Sequence, residues 1–66
     1  MQITINGIDH TISEGISITA LMKDLQIDPR KVAIEQNLCI VPANEYAETY
    51  LNDGDILEVV QFIGGG

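Results

Sequence analysis

Residues 1–25 read MQITINGIDHTISEGISITALMKDL, and the change of period inside this stretch decides the fold. Met1, Ile3 and Ile5 alternate with Gln2, Thr4 and Asn6, the period of two that marks a half-buried strand. Asn6-Gly7 follows, a pair that tolerates positive φ and signals a hairpin turn. Residues 8–12 are the returning strand. A two-residue turn pairs Ile5 with Ile8 and Ile3 with His10, whereas a longer bulged turn shifts that register; the sequence leaves both open. Residues 13–17, with Gly15, form a turn, and Ser17 or Thr19 is the candidate helix cap. The period then becomes helical. Ile18, Leu21, Met22 and Leu25 stand at i, i+3, i+4 and i+7 on one face, with Lys23 and Asp24 on the other. Asp28-Pro29 is expected to end this segment, because proline disfavours helical geometry in the residue before it.

Beyond this stretch, residues 32–35 read as a third strand with Val32 and Ile34 on one face. Gln36-Asn37 is a turn, residues 39–41 are a short fourth strand closed by Pro42, and residues 43–49 are mixed, with room for a short helical turn. Asp53-Gly54 is a second tight turn before the last and longest strand, residues 55–63. A helix crossing one face of a small sheet is the economical way to bury both apolar faces. The expectation is therefore an α+β chain of the β-grasp, or ubiquitin-like, pattern. It has a mixed sheet of four to five strands and one main helix. Residues 1–66 form a single domain ending in a flexible glycine tail, residues 64–66.

Composition sets limits on function. A chain of 66 residues buries only about 60% of its unfolded surface, which leaves one thin core and little room for a deep catalytic pocket. Cys39 is the single cysteine and His10 the single histidine, so neither an internal disulfide nor a typical zinc site can be built. Ten acidic against three basic side chains give a net charge of −7. Such a surface repels phosphate backbones, which argues against nucleic acid, and suits a partner with a basic docking face. It also serves plain solubility. No apolar run approaches the roughly 18 residues of a spanning helix. The N-terminus lacks the pattern of a signal peptide. A cytoplasmic protein, off the membrane, is expected.

Two features at the C-terminal end carry the functional reading. In the last strand Ile56, Val60 and Phe62 point to one side and Leu57, Val59 and Ile63 to the other, so both faces are apolar. A sheet covered by one helix should be polar on its second face. One apolar set therefore meets the helix. The other is a partner surface or lies under residues 43–51. Leu57, Val60, Phe62 and Ile63 are the docking candidates. The second feature is Gly64-Gly65-Gly66, a side-chain-free thread of about 10 Å when extended. It fits a channel that any Cβ would block. A free carboxylate at Gly66 is a poor electrophile, but adenylation turns it into a mixed anhydride open to a sulfur nucleophile. A frayed end is the bland alternative.

The ordered set of motifs resembles the thiamine-pathway sulfur carriers. Val32-Ala33-Ile34-Glu35-Gln36-Asn37 looks like their V-A-hydrophobic-E-x-N segment, and Ile40-Val41-Pro42 with Tyr46 like their I-V-P and aromatic segment. Leu51-Asn52-Asp53-Gly54-Asp55 is similar to their L-x-D-G-D turn. Residues 58–66, EVVQFIGGG, are similar to their terminal segment. Ala43 departs from the pattern, which carries a basic residue after the proline. The resemblance implies a cycle. A partner adenylating enzyme uses Mg-ATP to transfer AMP to Gly66, and a sulfur donor such as a cysteine desulfurase converts the product to a thiocarboxylate. Thiazole synthase then receives the sulfur. It implies no catalytic residue, bound cofactor or metal of the chain's own, which agrees with the lack of a nucleophile–base pair or phosphate-binding loop in the sequence.

Other residues read more plainly. Cys39 is expected as a small buried strand hydrophobe, His10 as hairpin surface or packing, and Met22 as core. Glu35 with Asn37 shapes a turn, and Asp53 and Asp55 are turn and edge residues. Two rival readings remain. One is the small subunit of molybdopterin synthase, which shares the fold and the thiocarboxylate. The other is a ubiquitin-like interaction module with an inert tail.

Overall fold

Asn6 and Gly7 take φ of 51° and 81°, so the two-residue turn is the one that forms. In the computed structural model, which describes residues 1–62, this turn joins β1 (Gln2–Ile5) to β2 (Ile8–Thr11). Ile5 lies opposite Ile8 and Ile3 opposite His10, with no bulge. The Ser17 side chain accepts a hydrogen bond of 3.1 Å from the Ala20 N–H and caps α1 (Ile18–Asp24). Ile18, Leu21 and Met22 are buried along one face, and Leu25 packs beside them.

The helix ends before Asp28-Pro29. Gln26 enters the left-handed region at φ 59°. The Gln26 N–H bonds the Lys23 carbonyl and the Ile27 N–H the Met22 carbonyl, at 3.1 and 2.8 Å. That pairing is the left-handed helix stop usually built on glycine. Pro29 instead opens a short 3-10 turn, Pro29–Lys31, capped by Asp28. The Arg30 side chain and backbone N–H both bond the Asp28 carboxylate and hold its pKa down at about 2.

β3 (Val32–Gln36), β4 (Cys39–Val41) and β5 (Ile56–Gln61) complete a five-stranded mixed sheet of order β2-β1-β5-β3-β4. The turn between β3 and β4 is Asn37-Leu38, one residue later than expected, with φ of 52° and 70°. β5 sits in the middle, parallel to β1 and antiparallel to β3. It is shorter than residues 55–63. Asp55 precedes the ladder, and Ile63 lies outside the described residues, as do Gly64, Gly65 and Gly66.

Sheet residues Ile3, Ile5, Val32, Ile34, Val41, Leu57 and Val59 meet the helix in one core. Tyr46 and Leu51 close its side, and the Tyr46 O–H donates to the Val32 carbonyl at 3.3 Å. The 3-10 turn Ala43–Glu45 begins the connection that carries them. The Ile18 N–H bonds the Thr49 carbonyl and the Thr19 N–H the Tyr46 carbonyl, so this connection lies on the helix side of the sheet. It does not cover the second face of β5. Among the described residues no helix is long and apolar enough to cross a membrane.

Candidate functional site

β5 resolves its two apolar faces by alternation. Leu57 is 0% exposed and Val59 is buried beside it, so this set is the core set. Leu57 is thereby removed from the docking candidates: its register, opposite Ile5 of β1 and Gln36 of β3, turns it under the helix. The other set stays in solvent. Ile56 is 51%, Val60 60% and Phe62 61% exposed. Of the candidates named from sequence, Val60 and Phe62 are thus on the open face, and Ile63 and the glycine thread fall outside the described residues.

The pairing shows what else shares this face. Ala33 stands opposite Val60, and Glu35 stands opposite both Glu58 and Ile40. Thr4 stands opposite Ile56 and Asp9. The Phe62 N–H continues the β3 ladder onto the Lys31 carbonyl at 2.9 Å. The helix-free face is therefore an apolar strip, Ile40, Ala33, Val60, Ile56 and Phe62, with acids set into it. Ile56 and Ile40 are not among the docking candidates named from sequence. The period of two in β5 points to Ile56. Ile40 becomes visible only through the β3–β4 register.

Two polar arrangements hold β5 in place from below. The Asn6 side chain donates to the Val59 carbonyl at 3.0 Å and accepts from the Val59 N–H at 2.8 Å, which extends the contact of the first hairpin with β5 beyond the parallel ladder. Asp55, read from sequence as a turn and edge residue, is buried. Its carboxylate accepts from the Asn52 N–H at 2.9 Å, the Asn37 amide at 3.0 Å and the Gln36 amide at 2.8 Å. Burial acts to raise its pKa, but these three donors outweigh that and hold it below the ordinary carboxylate value. The Asn37 side chain also accepts from the Ile56 N–H at 2.9 Å. The β3–β4 turn, the Asp53-Gly54 turn and the start of β5 are thus one hydrogen-bonded unit.

The remaining sequence candidates stay apart from this face. Cys39 is exposed rather than buried, because it begins the edge strand β4, where no further strand covers it. His10 is half-buried and lines an open cleft between β2 and α1 with Thr11, Leu21 and Asp24. Among the described residues no group of three His, Cys, Asp or Glu side chains is placed to hold a metal ion.

A single helix on one face of a mixed sheet, with the last strand at its centre and an open apolar face behind it, defines a ubiquitin-like β-grasp protein. A crystal structure of the thiamine biosynthesis protein ThiS from Geobacter metallireducens has the same fold. It superposes with a TM-score of 0.86 at 30% identity and covers 100% of both chains. Residues 3–66 match the ThiS family, and the chain belongs to that family. It is 36% identical to the sulfur carrier protein ThiS of Bacillus subtilis over 50 residues, 76% of each. It is also 50% identical to a thiazole synthase of Paramagnetospirillum magneticum over 66 residues, all of this chain but 20% of that protein. A thiazole synthase of Magnetococcus marinus matches at 39%, again over 20% of its length. The chain therefore spans about a fifth of those two synthases.

Proposed function

We propose that this chain is a sulfur carrier of thiamine biosynthesis and that Gly66 carries the sulfur. The observation that supports it best is the family match, which runs through the glycine end as well as the folded body. In this reading a carboxylate oxygen of Gly66 attacks the α-phosphorus of Mg-ATP on an adenylating enzyme, and pyrophosphate leaves. A sulfur nucleophile from a donor such as a cysteine desulfurase then attacks the acyl-adenylate carbonyl and AMP leaves. When the donor is a persulfide, the resulting acyl disulfide is reduced by a thiol to the thiocarboxylate. Thiazole synthase receives that sulfur.

The chain acts as a co-substrate. The groups that activate ATP and sulfur belong to its partners, and the chain supplies an unhindered glycyl carbonyl and a surface to dock by. Gly64 and Gly65 are the thread into the partner's channel, and Val60 and Phe62 stand on the docking face. The test is intact mass after incubation with the adenylating enzyme, Mg-ATP and a sulfur donor. The expected product has one sulfur in place of one oxygen, localised to Gly66. Removing Gly65 and Gly66 should abolish the product and leave the melting temperature unchanged. A full chain that never gains sulfur under these conditions would return the protein to the interaction-module reading.

A further inference from the structure

Residues that face one another across a ladder lie on the same side of the sheet, and this places Glu35 directly opposite Glu58 on the open face. Like charges in that position are destabilising. The chain's own cations do not relieve them. Arg30 is engaged with Asp28, Lys23 is on α1, and Lys31, at the end of the 3-10 turn before β3, is four residues from Glu35, about 13 Å at strand spacing. Around the pair the face is apolar: Ile40 beside Glu35 on β4, Val60 and Ile56 on either side of Glu58 along β5.

We infer that Glu35 and Glu58 form the receptor for an arginine or lysine that thiazole synthase presents from within an apolar patch of its own. This rests on the carrier reading above. Charge complementarity selects the occupant. A second copy of this chain, at a net charge of −7, would bring further carboxylates against the pair and be repelled. A guanidinium or ammonium neutralises both glutamates at once, and its hydrogen bonds to carboxylates are charge-assisted. The apolar strip removes water from that contact as the surfaces close. A repulsion held in the free domain and relieved only against a cation also discriminates against partners that lack one. In two relatives a segment like this chain shares a polypeptide with a protein named thiazole synthase, which makes that enzyme the partner to test.

The experiment is calorimetric titration of the cognate thiazole synthase with the full chain and with its Glu35→Gln/Glu58→Gln variant, at low and high salt. The variant is expected to bind about tenfold more weakly or worse, to lose most of the salt dependence, and to melt no lower than the parent. Equal binding by the two chains overturns the inference. So does a variant that melts well below the parent, which would make the pair structural. A parent that does not bind the synthase, or that dimerises through the two glutamates in sedimentation, overturns it as well. Sulfur loading is read separately by intact mass. A parent that accepts sulfur while binding ignores the two glutamates leaves the carrier reading standing. A parent that never accepts sulfur sinks that reading whatever the titration gives.

Discussion

Asp55 is a buried acid, and three donors make it tolerable. Removing its charge should expose how much those donors depend on it. Asp55→Asn keeps the shape but turns an NH2 toward groups that are themselves donors. Hydrogen bonds to a charged group contribute about 1.5–3 kcal/mol, and a loss of that size at pH 7 is expected in urea unfolding. The pH dependence follows from the depressed pKa. The stabilisation is present above the unfolded value, about 3.9, and is lost as pH falls through the folded one. The gap between parent and Asp55→Asn should therefore close in acid, and a gap that persists unchanged there would show that the carboxylate's charge is not the cause. Asp28, held at about 2 by Arg30, adds to the same acid-labile window from the surface. Neither Asp55 nor Asn6 declares its role in the sequence. Both look like turn residues because they sit in turns. Their partners, Gln36 and Asn37 in one case and Val59 in the other, are far along the chain, and no local spacing encodes such contacts.

At the scale of elements, the alternation along β5 separates folding from docking one residue at a time. Leu57→Ala removes a fully buried side chain from the centre of the core, a change worth about 2–5 kcal/mol. A domain this small has roughly 3–5 kcal/mol from its core to lose, so this variant should be largely unfolded at room temperature by circular dichroism. Val60→Ala, two strand positions past the neighbouring Glu58 on the open face, should stay within about 0.5 kcal/mol of the parent. If Val60→Ala melted below Leu57→Ala, the assignment of faces would be inverted, and if the two melted alike the separation of faces would fail. The elements themselves were readable wherever a period was unbroken. The hairpin, the Ile18–Leu21–Met22 face and the Val32–Ile34 face all appear in the sequence as they do in the fold. The helix stop was not readable, because Gln26 takes a left-handed conformation that composition assigns to glycine. Which side of β5 faces inward was not readable either, since both sides are apolar there and only the pairing with β1 and β3 breaks the tie.

For the whole molecule, the excess of acids acts as a uniform internal pressure. The radius of gyration is 11.1 Å, close to the Debye length of about 8 Å at physiological salt, so added salt screens repulsion across the entire domain. Among the described residues the one ion pair that salt can weaken is Arg30–Asp28, on the surface. The melting temperature is therefore expected to rise with sodium chloride from low ionic strength to about 0.15 M. A fall would mean that attractive pairs outweigh the net charge. The β-grasp order itself was legible as a sequence of strand, strand, helix and strands. The central place of the last strand came from the pairing alone.

That central place ties the completeness of the chain to its ability to fold. Until β5 has been synthesised, β1–β2 and β3–β4 are two hairpins with no strand between them, and an isolated hairpin is marginally stable at best in water. A chain cut short before residue 56 lacks the strand that joins the two hairpins, and it is expected to be unfolded and open to proteolysis. Folding in this protein works as an inspection of the message: a molecule that passes is one in which the strand leading to the glycines has been made.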